Sequence, residues 1–169
     1  MKRYGRDRPT PTPETVTVGI ADVAVTTDGA TLSTSGLGSC VAVAVYDERG
    51  DVGGLVHAML PRAADGADDN PAKYADEGVR ALYDSLVAAG ATQTALSAKV
   101  AGGSHMFDFS DADNRIGARN VDVARETLGD LDVRIAAEDV GGDRGRSVKF
   151  DPTTGELTVR SAGATVVTL

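Results

Sequence analysis

The chain has 169 residues, enough for one domain with a full hydrophobic core. Its formal net charge of −8 argues against nucleic-acid binding by the body of the domain. Such acidity is typical of a protein in a salty cytosol, or simply of a soluble acidic protein. No apolar stretch is long enough to cross a bilayer, so we expect no membrane insertion. The single cysteine, Cys40, forms neither an intramolecular disulfide nor a cysteine-only metal site, which favours the cytoplasm and predicts no metal.

The first 14 residues combine a basic cluster with the three prolines Pro9, Pro11 and Pro13. Polar, proline-rich sequence cannot bury a core, so we expect a flexible arm over residues 1–14. The arm also lacks the apolar centre of a secretory signal. We place a single folded domain over residues 15–169.

Short apolar alternations predict strands in the first part of this domain. The alternation that begins at Val16 continues through Val25 after a kink. A polar hairpin loop, residues 47–51, separates the third strand from the fourth. The predicted strands cover residues 16–25, 31–35, 41–46 and 52–60.

Helical periodicity marks the middle of the chain. Asn70 and Pro71 are typical of a helix start, and Gly90 is typical of its end. A second helix has a buried face made of Ile116, Val121, Ala124 and Leu128. Further strands are predicted at residues 96–101, 131–139, 147–150 and 157–160, with an edge strand or a frayed end at 164–169. This order predicts an α/β sandwich with largely antiparallel or mixed sheets and two main helices.

A glycine-rich turn, Gly36-Leu-Gly38-Ser39, ends at Cys40 and leads into the third strand. A cysteine at such a turn can present its sulfur as a nucleophile if a base lies close by. With a five-residue loop, the simplest hairpin register places Val41 near His57, so Cys40 and His57 can meet. The alternative is a buried structural cysteine.

The stretch Thr34-Ser-Gly-Leu-Gly-Ser-Cys40 resembles the signature of the CheD family, the chemoreceptor glutamine deamidases of archaeal and bacterial chemotaxis. Ser35 stands where that family usually has leucine. Further blocks follow in the family's order over most of the folded part. They are Gly54-Leu-Val-His-Ala-Met-Leu-Pro61, Lys73-Tyr-Ala-Asp76, Lys99-Val-Ala-Gly-Gly103 with Met106-Phe107, Ile116-Gly-Ala-Arg-Asn-Val121, and Asp139-Val-Gly-Gly142 with Gly145-Arg-Ser147.

The resemblance implies a sandwich similar to the cytotoxic necrotizing factor deamidases. It implies hydrolysis of glutamine side chains to glutamate on methyl-accepting chemotaxis receptors, with no cofactor. The family's catalytic cysteine, histidine and threonine correspond to Cys40, His57 and Thr34. The resemblance also implies a second partner, the phosphatase CheC. The expected state is a monomer that enters heteromeric complexes.

Each of these residues has an expected task. His57 accepts the proton of Cys40, and Thr34 orients the imidazole. The turn made of Gly36, Gly38 and Ser39 supplies backbone N–H groups for an oxyanion hole.

Two other functions stay open at this point. One is a non-catalytic chemotaxis adaptor that binds receptors or stimulates CheC. The other is a cysteine hydrolase with another amide substrate.

Outside the candidate site, His105 is expected on a surface or loop. Arg144 and Arg146 are either solvated hairpin charges or contacts to an acidic partner. The glycine pairs 102–103 and 141–142 indicate sharp turns or close backbone approach.

Overall fold

A computed structural model describes residues 14–63, 69–105, 111–163 and 165–169. The predicted N-terminal arm lies outside this part of the chain except for Glu14, and so does the Met106-Phe107 pair. Of the helices in the described ranges, none has the length and hydropathy that a bilayer crossing requires.

The described elements are ten strands and two α-helices, together with short 3-10 turns. In chain order they are β1 (Thr15–Thr17), β2 (Asp22–Thr26), β3 (Thr31–Leu37), β4 (Val41–Asp47), β5 (Gly53–Ala58), α1 (Ala75–Ala88), β6 (Leu96–Gly102), α2 (Asp111–Asp130), β7 (Arg134–Val140), β8 (Arg146–Asp151), β9 (Glu156–Ser161) and β10 (Val166–Thr168).

The strands form two five-stranded sheets, with the orders β1-β3-β8-β9-β10 and β2-β5-β4-β6-β7. The β1–β3 and β6–β7 pairs are parallel, and the other neighbours are antiparallel. Both helices contact the second sheet. This architecture confirms the predicted α/β sandwich with mixed sheets and two main helices, and β10 confirms the predicted edge strand.

Strand β4 lies at the centre of the molecule and is buried along its whole length. Val41, Val43 and Val45 join the apolar cluster under the helices, whereas Ala42 and Ala44 join the cluster between the sheets. Because both faces of β4 are covered, the strand is a continuous apolar run. The small alanines on one face allow the first sheet to pack closely.

The alternation from Val16 to Val25 is two strands, not one kinked strand. β1 belongs to the first sheet and β2 to the second. Between them Ala21 has the left-handed φ of 57°. An extended strand cannot pass through that conformation, so the chain turns there and crosses from one sheet to the other.

The predicted helix start at Asn70 is a 3-10 turn, Pro71–Lys73, and α1 begins only at Ala75. The Asn70 side chain accepts a hydrogen bond from the Ala72 amide, as a cap should. The carbonyl of Lys73 accepts hydrogen bonds from two backbone amides beyond β5, which keeps Tyr74 extended. Gly90 ends the helix with a φ of 100°, as predicted.

The β4–β5 register differs by one residue from the simplest hairpin. Tyr46 pairs with Gly53, so Val52 belongs to the loop, and Ala42, rather than Val41, lies opposite His57. Directly opposed residues share a face of the sheet. The predicted register would have placed Cys40 and His57 on opposite faces, whereas the observed register gives them the same face.

Candidate active site

A buried hydrogen bond joins the two sheets at the candidate site. The Thr34 hydroxyl lies 2.7 Å from Nδ1 of His57. Thr34 is on β3 of the first sheet, and His57 is on β5 of the second. Strand alternation turns both side chains into the space between the sheets, where His57 is fully buried.

Cys40 lies at the same end of the sandwich. It immediately precedes β4, is partly exposed, and packs against the apolar cluster between the sheets. Its position is two residues before Ala42, the partner of His57, so Cys40 and His57 are diagonal neighbours on one face. The fold therefore brings the predicted cysteine, histidine and threonine to one end of the inter-sheet space.

A bulge in β3 prepares the turn before Cys40. The β3–β8 register shifts between Thr34 and Leu37. Gly36, inside this bulge, has the left-handed φ of 74°, which a residue with a Cβ adopts only with strain. The bulge redirects the chain toward the second sheet, where Cys40 begins the approach to β4.

Three consecutive carbonyl groups, those of Gly38, Ser39 and Cys40, accept hydrogen bonds from elsewhere in the protein. The donors come from the two residues that follow β6 and from α2, and the distances lie between 2.8 and 2.9 Å. In the described part of the chain, the amides of Ser39 and Cys40 donate to no backbone carbonyl. The held carbonyls are Gly38 (from the amide and hydroxyl of Ser104), Ser39 (from the Asn120 side chain) and Cys40 (from the Gly103 amide).

The glycines after β6 permit this close approach. Gly102 has a φ of 109°, and a Cβ built on it would overlap the carbonyl oxygen of Cys40. Gly103 has a φ of 67°, and a Cβ there would overlap Val121 of α2. Close backbone approach, one of the two roles predicted for this glycine pair, is confirmed.

Asn120 was not among the predicted site residues. Its buried amide nitrogen donates to the Ser39 carbonyl at 2.8 Å and to the Met59 carbonyl at 3.0 Å. It thereby links the glycine turn before Cys40 to the residues that follow His57. A sequence signal existed, because Asn120 lies four residues from both Ile116 and Ala124 on the predicted apolar face. A polar residue on such a face needs buried partners.

Burial favours the neutral forms of Cys40 and His57. Desolvation raises the pKa of the Cys40 thiol above its usual 9.0, and a hydrogen bond from its own amide opposes this only in part. Desolvation lowers the pKa of His57 below its usual 6.5. Within the described residues, the buried Nε2 of His57 has no hydrogen-bond partner. At neutral pH the site therefore holds a thiol and an unprotonated imidazole whose Nε2 is free to accept a proton.

The remaining residues singled out by sequence lie around this centre. His105 is exposed and its amide donates to the Gly142 carbonyl, which confirms a loop histidine. Arg144 is exposed, but the side chain of Arg146 is only 8% exposed and lies 3.5 Å from the Asp139 carboxylate. The interpretation of Arg146 as a solvated hairpin charge is therefore wrong.

Among the described residues, no group of three His, Cys, Asp or Glu side chains is placed to hold a metal ion.

Known proteins resemble this chain over most of its length. The model of the family described as CheD chemotactic sensory transduction matches residues 59–161. The probable chemoreceptor glutamine deamidase CheD of Haloarcula marismortui is 52% identical, over 94% of this chain and 91% of that protein. The corresponding protein of Natronomonas pharaonis is 47% identical, over 94% of this chain and 95% of its own.

A third relative is also similar to this chain over most of its length. The chemoreceptor glutamine deamidase CheD of Halalkalibacterium halodurans is 45% identical, over 88% of this chain and 94% of that protein. Among solved structures, the hypothetical protein YfiH of Bacillus licheniformis matches with a TM-score of 0.48 at 14% identity, over 70% of this chain and 49% of that one. This structural likeness is too weak to carry an argument, whereas the sequence matches are extensive. The chain belongs to the CheD family of chemotactic sensory transduction proteins.

Proposed function

We propose that this protein is a chemoreceptor glutamine deamidase, which hydrolyses the side-chain amide of selected receptor glutamines to glutamate. Membership of the CheD family and the names of the relatives described above support this substrate class. The observation that carries the catalytic part is the buried Thr34–His57 hydrogen bond beside Cys40. A cysteine, a base and a group that orients the base form a nucleophilic triad.

Acylation is the first half of the reaction. Thr34 accepts a hydrogen bond from Nδ1–H, which leaves the lone pair on Nε2 of His57. Nε2 takes the thiol proton of Cys40 while the sulfur attacks the carboxamide carbon of glutamine. The tetrahedral intermediate then collapses, its C–N bond breaks, and the imidazolium gives its proton to the leaving nitrogen. Ammonia leaves, and a γ-glutamyl thioester stays on Cys40.

Backbone N–H groups of the glycine turn stabilise the oxyanion. The N–H of a trans peptide points away from its C=O, so the amides of Ser39 and Cys40 face away from the donors that hold the Gly38 and Ser39 carbonyls. In the resting site the Cys40 amide also bonds to its own sulfur. The amides of Ser39 and Cys40 are the donors for the oxygen that becomes negative in the tetrahedral intermediate. Gly36 contributes the left-handed backbone that shapes this turn.

Deacylation regenerates the enzyme. Water gives a proton to Nε2 of His57, and its oxygen attacks the thioester carbon. The C–S bond breaks, the imidazolium returns the proton to the sulfur of Cys40, and glutamate leaves. The overall change is one water consumed and one ammonia released for each glutamine converted.

The neutral thiol of Cys40 and the neutral imidazole of His57 limit the rate of the proposed reaction. A raised thiol pKa and a lowered imidazole pKa mean that the thiolate forms only as the substrate is attacked. The hydroxyl of Thr34 stabilises the imidazolium less than a carboxylate would. We therefore expect modest turnover, which suits a regulatory modification of receptors.

Mass spectrometry of a receptor's cytoplasmic fragment tests the proposal. Wild-type protein should produce the mass gain of an NH₂-to-OH replacement at defined glutamines, and Cys40→Ala should not. Lys149→Ala, at an exposed position of the first sheet, is the matched control and should behave as wild type. Receptor binding without any mass change by the wild type would contradict the enzyme and leave the adaptor function.

Further proposals concern partners and location. The family resemblance supports binding to the phosphatase CheC, and the expected state without CheC is a monomer. The single cysteine, which stays reduced there, supports action in the cytoplasm. Size-exclusion chromatography with light scattering, run with and without CheC, tests the first two. A single peak at the sum of the two masses supports the complex, and separate unshifted peaks contradict it.

A further inference from the structure

The connection Val18–Ala21, here called the rim segment, crosses from the first sheet to the second at the candidate site. Its first amide, on Val18, donates to the Ser33 carbonyl at 2.7 Å. Its last amide, on Ala21, donates to the His57 carbonyl at 2.9 Å. Ser33 is the chain neighbour of Thr34, so the rim segment is bonded on both sides of the Thr34–His57 pair.

The backbone of the rim segment is fixed. Ala21 has a left-handed φ of 57°, which is uncommon for a residue with a Cβ. Its amide is bonded to His57, and its carbonyl accepts a hydrogen bond from the Asn70 side chain at 2.8 Å. Val18, at the other end, is buried with 1% exposure. The side chain between these anchors is therefore presented in a defined position.

That side chain is Ile20, which is 58% exposed and is the most exposed of the large apolar side chains in the described residues. A lone exposed apolar residue needs no explanation on most surfaces. This one is carried by a fixed backbone beside the catalytic histidine. Because β5 alone separates β2 from β4, the rim segment lies roughly 10 Å from the strand that Cys40 precedes. About three extended residues of a bound substrate span that distance.

From this placement we propose that Ile20 is a specificity-determining residue, which packs against an apolar side chain close to the target glutamine in the receptor. The proposal rests on the deamidase function given above and adds a recognition element to it. Burial of apolar surface on both partners drives the contact. Since the rim is already fixed, little conformational freedom is lost when the substrate binds.

Steady-state kinetics with a receptor cytoplasmic fragment test this role. Ile20→Ser should lower kcat/KM about five- to ten-fold, and the change should be in KM, because an apolar contact with the substrate is lost. The loss is smaller than for a fully buried isoleucine, since part of the side chain stays in water when the complex forms. Ile20→Val should recover most of the loss. Val167→Ser, at a 40% exposed position on edge strand β10, is the control and should match wild type.

The outcomes separate this inference from the proposed function. If wild-type protein does not deamidate the fragment, the deamidase proposal itself fails. If the wild type is active and Ile20→Ser has an unchanged KM, the recognition role is wrong while the deamidase stands. A lower melting temperature with a fall in kcat alone would assign Ile20 a structural role and overturn the proposal as well.

Discussion

At the scale of single residues, the site depends on two side chains from different sheets. Thr34 is 3% exposed and His57 is 0% exposed, so in the resting structure bulk water does not replace either partner of the bond between the hydroxyl and Nδ1. A buried polar group without a partner is costly, so the hydrogen bond both orients the ring and satisfies Nδ1. The other ring nitrogen is left for chemistry.

Removing the Thr34 hydroxyl tests whether its hydrogen bond to Nδ1 orients the His57 ring. Thr34→Val keeps the shape but leaves Nδ1 of His57 unpaired, and we expect kcat to fall roughly ten-fold or more with little change in KM. Thr34→Ser keeps the hydroxyl and should retain most of the activity. Steady-state kinetics on a receptor fragment measure both variants, and equal kcat values for Thr34→Val and wild type would contradict an orienting role.

The lowered pKa of His57 predicts the acid limb of the pH profile. The reaction needs unprotonated imidazole, and burial keeps the ring unprotonated to lower pH than usual. As pH falls, kcat/KM should therefore decline through a midpoint below 6.5, the usual value for histidine. A profile of kcat/KM against pH measures this midpoint. A midpoint at or above 6.5 would contradict a general base whose pKa is lowered by burial.

At the scale of elements, the glycine turn before Cys40 is positioned by neighbouring segments. Gly103 and Ser104, which follow β6, bind the carbonyls of Cys40 and Gly38, and Asn120 of α2 binds the carbonyl of Ser39. Each bond uses a carbonyl of the turn. The amides of Ser39 and Cys40 are thereby oriented away from these donors, which is how secondary structure can prepare an oxyanion hole.

Asn120→Ala tests the contribution of α2. The change leaves the carbonyls of Ser39 and Met59 without their donor, so we expect a loss of about 2 kcal/mol in the free energy of unfolding. It should also lower kcat by at least ten-fold, since a small displacement of a nucleophile is costly. Arg119→Ala, at the exposed neighbouring position, is the control. Chemical denaturation and kinetics provide the two readouts, and wild-type kcat in a folded Asn120→Ala would contradict the positioning role.

At the scale of the whole molecule, negative charge is in excess. Asp and Glu number 25 against 17 Lys and Arg. The ion pairs in the described residues are mostly at the surface, such as Arg62–Glu126 at 2.6 Å with side chains 44% and 59% exposed. Exposed pairs of this kind contribute little each, so the net repulsion of a molecule with charge −8 outweighs them.

Salt should therefore stabilise the fold. Raising KCl from 0.1 M to 1 M shortens the screening length from about 10 Å to about 3 Å, which weakens long-range repulsion. We expect the melting temperature to rise by several degrees over this range, measured by circular dichroism or differential scanning fluorimetry. Sucrose at matched viscosity controls for general solvent effects. A melting temperature that falls with KCl would mean that attractive ion pairs dominate.

Local patterns were sufficient for much of the fold. Alternation in Val41-Ala-Val-Ala-Val45 predicted a strand, and the helical periodicity of the apolar residues from Ile116 to Leu128 predicted the helix face, because both signals depend on neighbours along the chain. The glycine turn before Cys40 and the resemblance carried by its residues gave the candidate triad. These features are determined by the sequence itself.

Other features are determined only by contacts between distant segments. The sequence does not show that β1 and β2 lie in different sheets, that Ala42 lies opposite His57, or that Asn120 reaches Ser39. A one-residue change of register moves every side chain of the strand to the opposite face of the sheet. Local strand propensity is almost the same in both registers, so it does not distinguish them. Packing of the two sheets and α2 selects the register, and that selection puts Cys40 and His57 on the same face.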